Sequence, residues 1–123
     1  KDTEGNGVFH VVAGVLTING EGTVNGVCES EYDMAIWADG GKVVINGGTF
    51  IGDSDTASGG SCVCDEKGTA TINGGSFSGS SGGDVWGTTG TTIKGGTFEN
   101  LIEKQHIADD LPVHSFCNHF PVL

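Results

Sequence analysis

The stretch Val43-Val44-Ile45-Asn46-Gly47-Gly48-Thr49-Phe50 decides the fold, because the chain contains four related copies of it. The other copies are Leu16-Thr17-Ile18-Asn19-Gly20, Ala70-Thr71-Ile72-Asn73-Gly74-Gly75-Ser76-Phe77 and Thr91-Thr92-Ile93-Lys94-Gly95-Gly96-Thr97-Phe98. Their isoleucines, at positions 18, 45, 72 and 93, are 27, 27 and 21 residues apart. Repetition at this period is typical of a solenoid, in which each repeat forms one coil and stacks on the next.

The composition agrees with a β-solenoid. The 123 residues include 23 glycines, which follow no Gly-X-Y period and stand beside β-branched residues. Glycine in this setting forms turns between strands rather than collagen. Each coil is expected to contain three short strands with a Gly-Gly corner before the third. We therefore predict an all-β, right-handed parallel β-helix of about four coils, the hand following from the usual chirality of parallel crossovers.

Alternation along the strands predicts which side chains face inward. Three columns are expected to fill a dry interior, and their members are Phe9, Ile36, Val63 and Val85; Ile18, Ile45, Ile72 and Ile93; and Val24, Phe50, Phe77 and Phe98. The asparagines at the corners, Asn19, Asn46 and Asn73, are suited to left-handed backbone angles and to a hydrogen-bonded ladder between coils. Outside, Thr23, Thr49, Ser76 and Thr97 are predicted to form a hydroxyl column one residue wide.

Charge excludes some partners. Sixteen acidic and five basic residues give a formal net charge of −11, which disfavours nucleic acid and anionic membranes as partners. No apolar run is long enough to span a bilayer. The start of the chain has neither an initiator methionine nor a signal peptide, so we expect a piece of a longer polypeptide. Cys28, Cys62, Cys64 and Cys117 are expected to be free thiols, which favours assembly in a reducing cytoplasm.

Two regions are predicted. Residues 1–100 carry the β-helix repeats, whereas residues 101–123 lack glycine and form a non-repetitive cap or docking segment. A cap would protect the open edge of the last coil from aggregation.

The box Ile-Asn-Gly-Gly-Thr-Phe, preceded by Ala35-Ile36-Trp37-Ala38-Asp39-Gly40-Gly41, resembles the short parallel β-helix, pectin-lyase-like repeats of phage tail fibres, tailspikes and gut-bacterial surface proteins. The resemblance covers residues 8–100. It implies a rigid, often trimeric shaft or adhesion module, located on a virion or at a cell surface. It implies no catalytic residues, since the matching box is structural.

The candidate binding residues are Trp37, Trp86, Asp39 and Asp84. The column His10, Trp37, Cys64 and Trp86 is predicted to face outward beside the inward residues of the first strand in each coil. Exposed tryptophans stack on sugar rings or become buried against another subunit or loop, and both alternatives are open at this point. Each of the two aspartates lies two residues from a tryptophan in the sequence, near the strand that carries it.

Catalysis and metal binding are weaker alternatives. Asp39, Asp65, Glu66 and Asp84 lie near the tryptophan strand, but a β-helix enzyme normally needs more coils to build its groove. Asp53 and Asp55 lack the spacing of a calcium loop, and His114, Cys117 and His119 do not have zinc-ligand spacing. We therefore predict no cofactor and no metal. The predicted function is a non-enzymatic adhesion module, a homotrimer that binds a cell-surface glycan or protein; the alternatives are a small carbohydrate-active lyase or hydrolase and a purely structural spacer.

Overall fold

A computed structural model describes residues 6–26, 33–52, 61–79, 83–86 and 90–100. All regular structure in these residues is β-strand. The twelve strands are β1 (Asn6–Val11), β2 (Val15–Ile18), β3 (Thr23–Asn25), β4 (Asp33–Ala38), β5 (Lys42–Ile45), β6 (Thr49–Ile51), β7 (Ser61–Cys64), β8 (Thr69–Ile72), β9 (Ser76–Ser78), β10 (Val85–Trp86), β11 (Thr91–Ile93) and β12 (Thr97–Phe98). The predicted segment 101–123 lies outside the described residues, so the division at residue 100 stays a prediction.

Every third strand joins the same sheet. Sheet A has the order β1-β4-β7-β10, sheet B β2-β5-β8-β11 and sheet C β3-β6-β9-β12. All of the pairings are parallel. Three successive strands therefore form one rung, and four rungs stack as a parallel β-helix. Rung 1 is β1 to β3, and rung 4 is β10 to β12.

The four-fold box sets the register. Ile18 pairs with Ile45, Ile45 with Ile72, and Ile72 with Ile93 in sheet B. The predicted column of isoleucines is confirmed, including the shorter fourth repeat. Parallel strands lie about 4.8 Å apart, so each isoleucine meets its equivalent on the next rung in van der Waals contact.

The interior is built from the three predicted columns. Phe50, Phe77 and Phe98 are buried and stack with centroid distances of 4.9 and 4.7 Å between successive rings. Nearly parallel rings at this distance contribute about 1 kcal/mol per pair beyond the area that they bury. The predicted dry interior does not extend to rung 1, however. Phe9 pairs with Ile36 as expected but is 40 % exposed. Among the described residues, rung 1 has a neighbouring rung on one side and none on the other.

The corners between sheets B and C require glycine. Gly48, Gly75 and Gly96 have φ angles of 106°, 106° and 105°, in the left-handed region that side chains disfavour. A Cβ at Gly47 would also approach the carbonyl oxygen of Gly20 to 2.7 Å. Rungs can therefore stack at strand spacing only if this position has no side chain.

The corner asparagines form the predicted ladder. Asn46 Nδ2 donates to Asn19 Oδ1, and Asn73 Nδ2 donates to Asn46 Oδ1, both at 2.8 Å. Their predicted left-handed backbone is wrong, because within the described residues Lys67 alone among non-glycines has a positive φ. The neighbouring glycines adopt that conformation instead, and the asparagines remain free to align their amides.

Candidate functional site

An outward column on sheet A brings the aromatic residues together. His10 pairs with Trp37, Trp37 with Cys64, and Cys64 with Trp86. The alternation that places Ile36 and Val63 inside places these four on the other face. We call this set the aromatic column.

The first half of the aromatic column is a stacked pair. The imidazole of His10 lies on the indole of Trp37 with centroids 4.2 Å apart and an angle of 2° between the planes. His10 Nε2 donates to Asp39 Oδ2 at 2.8 Å, and both side chains are partly exposed. The main-chain N–H of Asp39 donates to the carbonyl of Val11, which fixes the aspartate beside rung 1. Asp39 thus holds the imidazole flat against the tryptophan.

The two tryptophans differ in exposure. Trp86 is 49 % exposed, so about half of the residue is accessible to solvent. Trp37 is half-buried, and its Nε1 is buried without a hydrogen-bond partner in the described residues. The rings are two strand spacings apart, about 10 Å, so one extended ligand can contact both.

Cys64 lies between the tryptophans and is only 3 % exposed. It is outward by register but buried in fact. Burial, followed by the nearby carboxylates of Glu66, Asp65 and Asp39, raises its pKa to about 11. The thiol is therefore protonated at neutral pH and is a poor nucleophile. Cys64 does not combine with His10 and Asp39 as an activated triad.

Asp84 is positioned for a structural role. It is fully buried, and its Oδ2 accepts the main-chain N–H groups of Glu99 and Asn100, each at 2.8 Å. Its Oδ1 accepts a hydrogen bond from Cys62 Sγ at 3.5 Å and from Asn100 Nδ2 at 3.3 Å. A ligand would have to displace these donors to reach the carboxylate. The carboxylate instead joins β10 to the residues that follow β12.

Asp65 is also buried. Its Oδ2 accepts the hydroxyl hydrogen of Thr91 at 2.7 Å, and a Cβ at Gly90 would lie 3.2 Å from its Cγ. Asp65 follows Cys64 and takes the inward position that Ala38 occupies on rung 2. The acids near the tryptophans thus point in different directions and form no carboxylate pair across a shared cleft.

Both described cysteines are free thiols, as predicted. Cys62 is buried, and besides the Asp84 carboxylate its single S–H has two other acceptors within reach, the carbonyl oxygens of Phe50 and Ser78, at 3.5 and 3.3 Å. Burial, and next the Asp84 carboxylate, raises the pKa of its thiol well above the ordinary value. Cys28 and Cys117 lie outside the described residues.

A concave feature lies at the corner between sheets B and C. It is a groove of about 540 Å³ lined by Gly20, Glu21, Asn46, Gly47, Gly48, Thr49, Gly75 and Ser76. The sequence interpretation missed Glu21, although a signal was present: five positions separate Ile18 from Thr23, whereas four separate Ile45 from Thr49. We call this feature the corner groove.

In the described part of the chain, no three His, Cys, Asp or Glu side chains converge as metal ligands would. The weak candidates Asp53, Asp55, His114, Cys117 and His119 lie outside it. No helix among the described residues has the length and apolar character needed to cross a membrane.

Comparison with family models, curated proteins and solved structures finds no match to this chain.

Proposed function

We propose that this chain is a non-enzymatic adhesion module, a right-handed parallel β-helix that binds a cell-surface glycan through the aromatic column. The observation that carries the proposal is the half-exposed indole of Trp86, in line with the His10–Trp37 stack on the same face. The right hand is the one that parallel crossovers adopt in nearly all known sheets.

Sugar rings suit this surface. The apolar face of a pyranose packs on an aromatic ring, while its hydroxyls bond to polar groups at the edge of the ring. Trp86 offers the open ring, and Asp39 offers a carboxylate oxygen beside the other end of the column. Because Asp84 is enclosed by its own donors, we leave it out of the proposed contact set.

Catalysis is disfavoured by the same side chains. A glycosidase needs two carboxylates facing each other across the bond to be cleaved. Asp65 and Asp84 are buried on hydrogen bonds of their own, and Asp39 is engaged by His10. Cys64 stays protonated because its pKa is raised to about 11. Binding without turnover is the chemistry that these groups support.

We test the proposal with a glycan array, followed by titration of the hits against tryptophan fluorescence. Trp86→Ala should reduce affinity about five- to thirtyfold, since stacking on one ring is worth about 1 to 2 kcal/mol. Thr92→Ala, an exposed strand position of sheet B, is the matched control and should bind normally. An array without signal, or a hit that Trp86→Ala leaves unchanged, contradicts the proposal. Release of new reducing ends from a polysaccharide would favour the lyase or hydrolase alternative.

We also propose that the module self-associates, as a homotrimer within a tail fibre or surface protein. The supporting observation is an apolar surface on rung 1, where Val8, Phe9, Val12 and Val15 are all exposed. The buried free thiols Cys62 and Cys64 agree with assembly in a reducing cytoplasm before the module reaches a virion or cell surface. Light scattering distinguishes the states. A monomer whose tryptophans are both quenched by iodide would contradict the trimer. A glycan array without signal, together with no new reducing ends from polysaccharides, would leave the purely structural spacer.

A further inference from the structure

The corner groove departs from the repeat at one position. Ile18 pairs with Ile45 and Thr23 pairs with Thr49, so rung 1 has one more residue in its corner than rung 2. The regular corner continues on rungs 3 and 4, where Ser76 and Thr97 follow in register. Gly22 matches Gly48, because Thr49 N–H donates to the Gly22 carbonyl as Ser76 N–H donates to the Gly48 carbonyl. Without Glu21, residues 18–23 would read Ile-Asn-Gly-Gly-Thr, the same as residues 45–49. The added residue is Glu21.

Glu21 therefore forms the wall of the groove on rung 1. Its side chain is exposed and lines the groove, whereas the corresponding place on the other rungs has no side chain at all. The floor consists of glycine backbone, so a ligand can approach the main chain closely. A solenoid without the additional residue would present a smooth corner here.

The floor has unused hydrogen-bonding capacity. Neither peptide group between Asn46 and Gly48 takes part in a hydrogen bond with the described residues, and the hydroxyls of Thr49 and Ser76 also lack protein partners there. Asn46 uses one amide hydrogen and one lone-pair direction in the ladder, which leaves one of each for a ligand. Donors and acceptors are thus present in comparable number, and they recur at the strand spacing of about 4.8 Å.

We propose that the corner groove is a second binding site, which takes an uncharged oligosaccharide lying along the stack of rungs. Sugar hydroxyls both donate and accept hydrogen bonds, as the mixed groups of the floor require. A single carboxylate with neutral neighbours is too poor a ligand set for a calcium ion, which takes six to eight oxygens. The lining contains no apolar side chain to anchor a peptide. Glu21 accepts from neutral sugars and repels acidic ones, so it selects for uncharged ligands.

The test is a ¹⁵N NMR titration with cellohexaose, maltohexaose and chitohexaose (the N-acetylated hexamer), observing the amides of Gly47, Gly48 and Gly75. We expect saturable shifts at these amides with at least one hexamer. Thr49→Val, which keeps strand shape and removes the hydroxyl, should weaken the binding about fivefold. Thr97→Val belongs to the same hydroxyl column but lies outside the groove, so it is the matched control and should bind as the parent does.

Three further variants test this site and separate it from the aromatic column. Deleting Glu21 restores the regular corner and should abolish the shifts while leaving the β-sheet spectrum intact. Trp86→Ala should leave the corner shifts unchanged, so the corner site stands even if the aromatic column binds nothing. Glu21→Gln should let a hexamer of galacturonic acid bind, which the parent rejects by at least tenfold. Absence of corner shifts with all three hexamers, or shifts that Thr49→Val and deletion of Glu21 leave unaltered, overturns the proposal.

Discussion

The two ends of the β-helix contain the same kinds of residue in the same columns, yet they differ in burial. On rung 1, Phe9 is 40 % exposed, and Ile18 and Val24 are half-buried. On rung 4, the residue in the column of Phe9 is Val85, which is 5 % exposed, and Ile93 and Phe98 are fully buried. Rung 1 is an open end and rung 4 is a closed one.

The difference shows that burial in a solenoid comes from the neighbouring rung as much as from the side chain itself. Each rung contributes half of the contacts that cover the next, so a terminal rung is dry only if something lies over it. Asp84 contributes to the closed end by holding the main chain of Glu99 and Asn100. No equivalent carboxylate is found among the described residues of rung 1.

The largest expected effect comes from removing a phenylalanine at each end. Phe98→Ala should lower the free energy of unfolding by about 4 kcal/mol, because it leaves a cavity beside the stacked ring of Phe77. Phe9→Ala should cost only about 1 to 2 kcal/mol, since its ring is already partly in water. Urea unfolding followed by circular dichroism measures both. Equal losses at the two ends would remove the distinction between an open and a closed end.

The next largest effect concerns the carboxylate of the closed end. Asp84→Ala should destabilise the fold by about 3 kcal/mol, because it removes the carboxylate that accepts the Asn100 N–H and one of the two acceptors of the Glu99 N–H, the other being the Phe77 carbonyl. Asp84→Asn keeps one carbonyl oxygen and should cost less. Asp39→Ala is the control, since its partner His10 is exposed and such pairs contribute under about 1 kcal/mol. Urea unfolding measures the loss of stability in each variant. If Asp84→Ala and Asp39→Ala lost the same unfolding free energy, Asp84 would not stabilise the closed end at rung 4.

The next prediction concerns Cys64, which lies between the two ends, and the dependence of stability on alkaline pH. Cys64 has rungs on both sides, and its folded-state pKa of about 11 exceeds the ordinary value of 9.0. Below pH 9 the thiol is protonated in both states, so it does not make stability depend on pH. Between pH 9 and 11 the unfolded thiol loses its proton first, and stability falls by at most about 3 kcal/mol.

The control for this prediction is Cys64→Ala. The variant should show a shallower decline in unfolding free energy across pH 9 to 11, because other groups titrate in both proteins and cancel in the difference. Identical pH profiles would mean that the thiol reaches solvent when folded.

The smallest expected change in stability comes from replacing an exposed valine of sheet B, which we compare with a buried valine of the same sheet. Val15→Thr on rung 1 should change stability by less than about 0.5 kcal/mol and weaken self-association. Val43→Thr on rung 2 should cost about 2 kcal/mol, because it buries a hydroxyl that has no arranged partner. Thermal unfolding measures the stabilities, and sedimentation velocity measures the association. A monomeric parent protein would contradict association through rung 1.

Much of the fold could be predicted because the repeat constrains it. Aligning the copies of the box around Ile45 predicted the register of the strands in sheet B. Alternation along the strands then predicted the isoleucine and phenylalanine columns correctly. The prediction was wrong for the backbone of the corner asparagines and for the dryness of rung 1. Period and alternation describe an average coil, whereas these two features depend on a particular corner and on what lies beyond the last coil.

The candidate site was less predictable from the residues. The aromatic column follows from counting alternate positions, but the burial of Cys64 and the enclosure of Asp84 do not. Asp84 and Trp86 are two residues apart in the sequence, yet one is enclosed by Glu99 and Asn100 while the other faces solvent.

The sequence by itself determined the rung, its register and the side of each strand that faces inward, because these depend on periodic local patterns. Only the tertiary structure decided which members of a column are dry, which acid is occupied by the fold, and where one additional residue opens a groove. Those properties depend on atoms that other rungs bring into contact across tens of residues, and Glu21 becomes a wall only when the corner of rung 2 lies beside it.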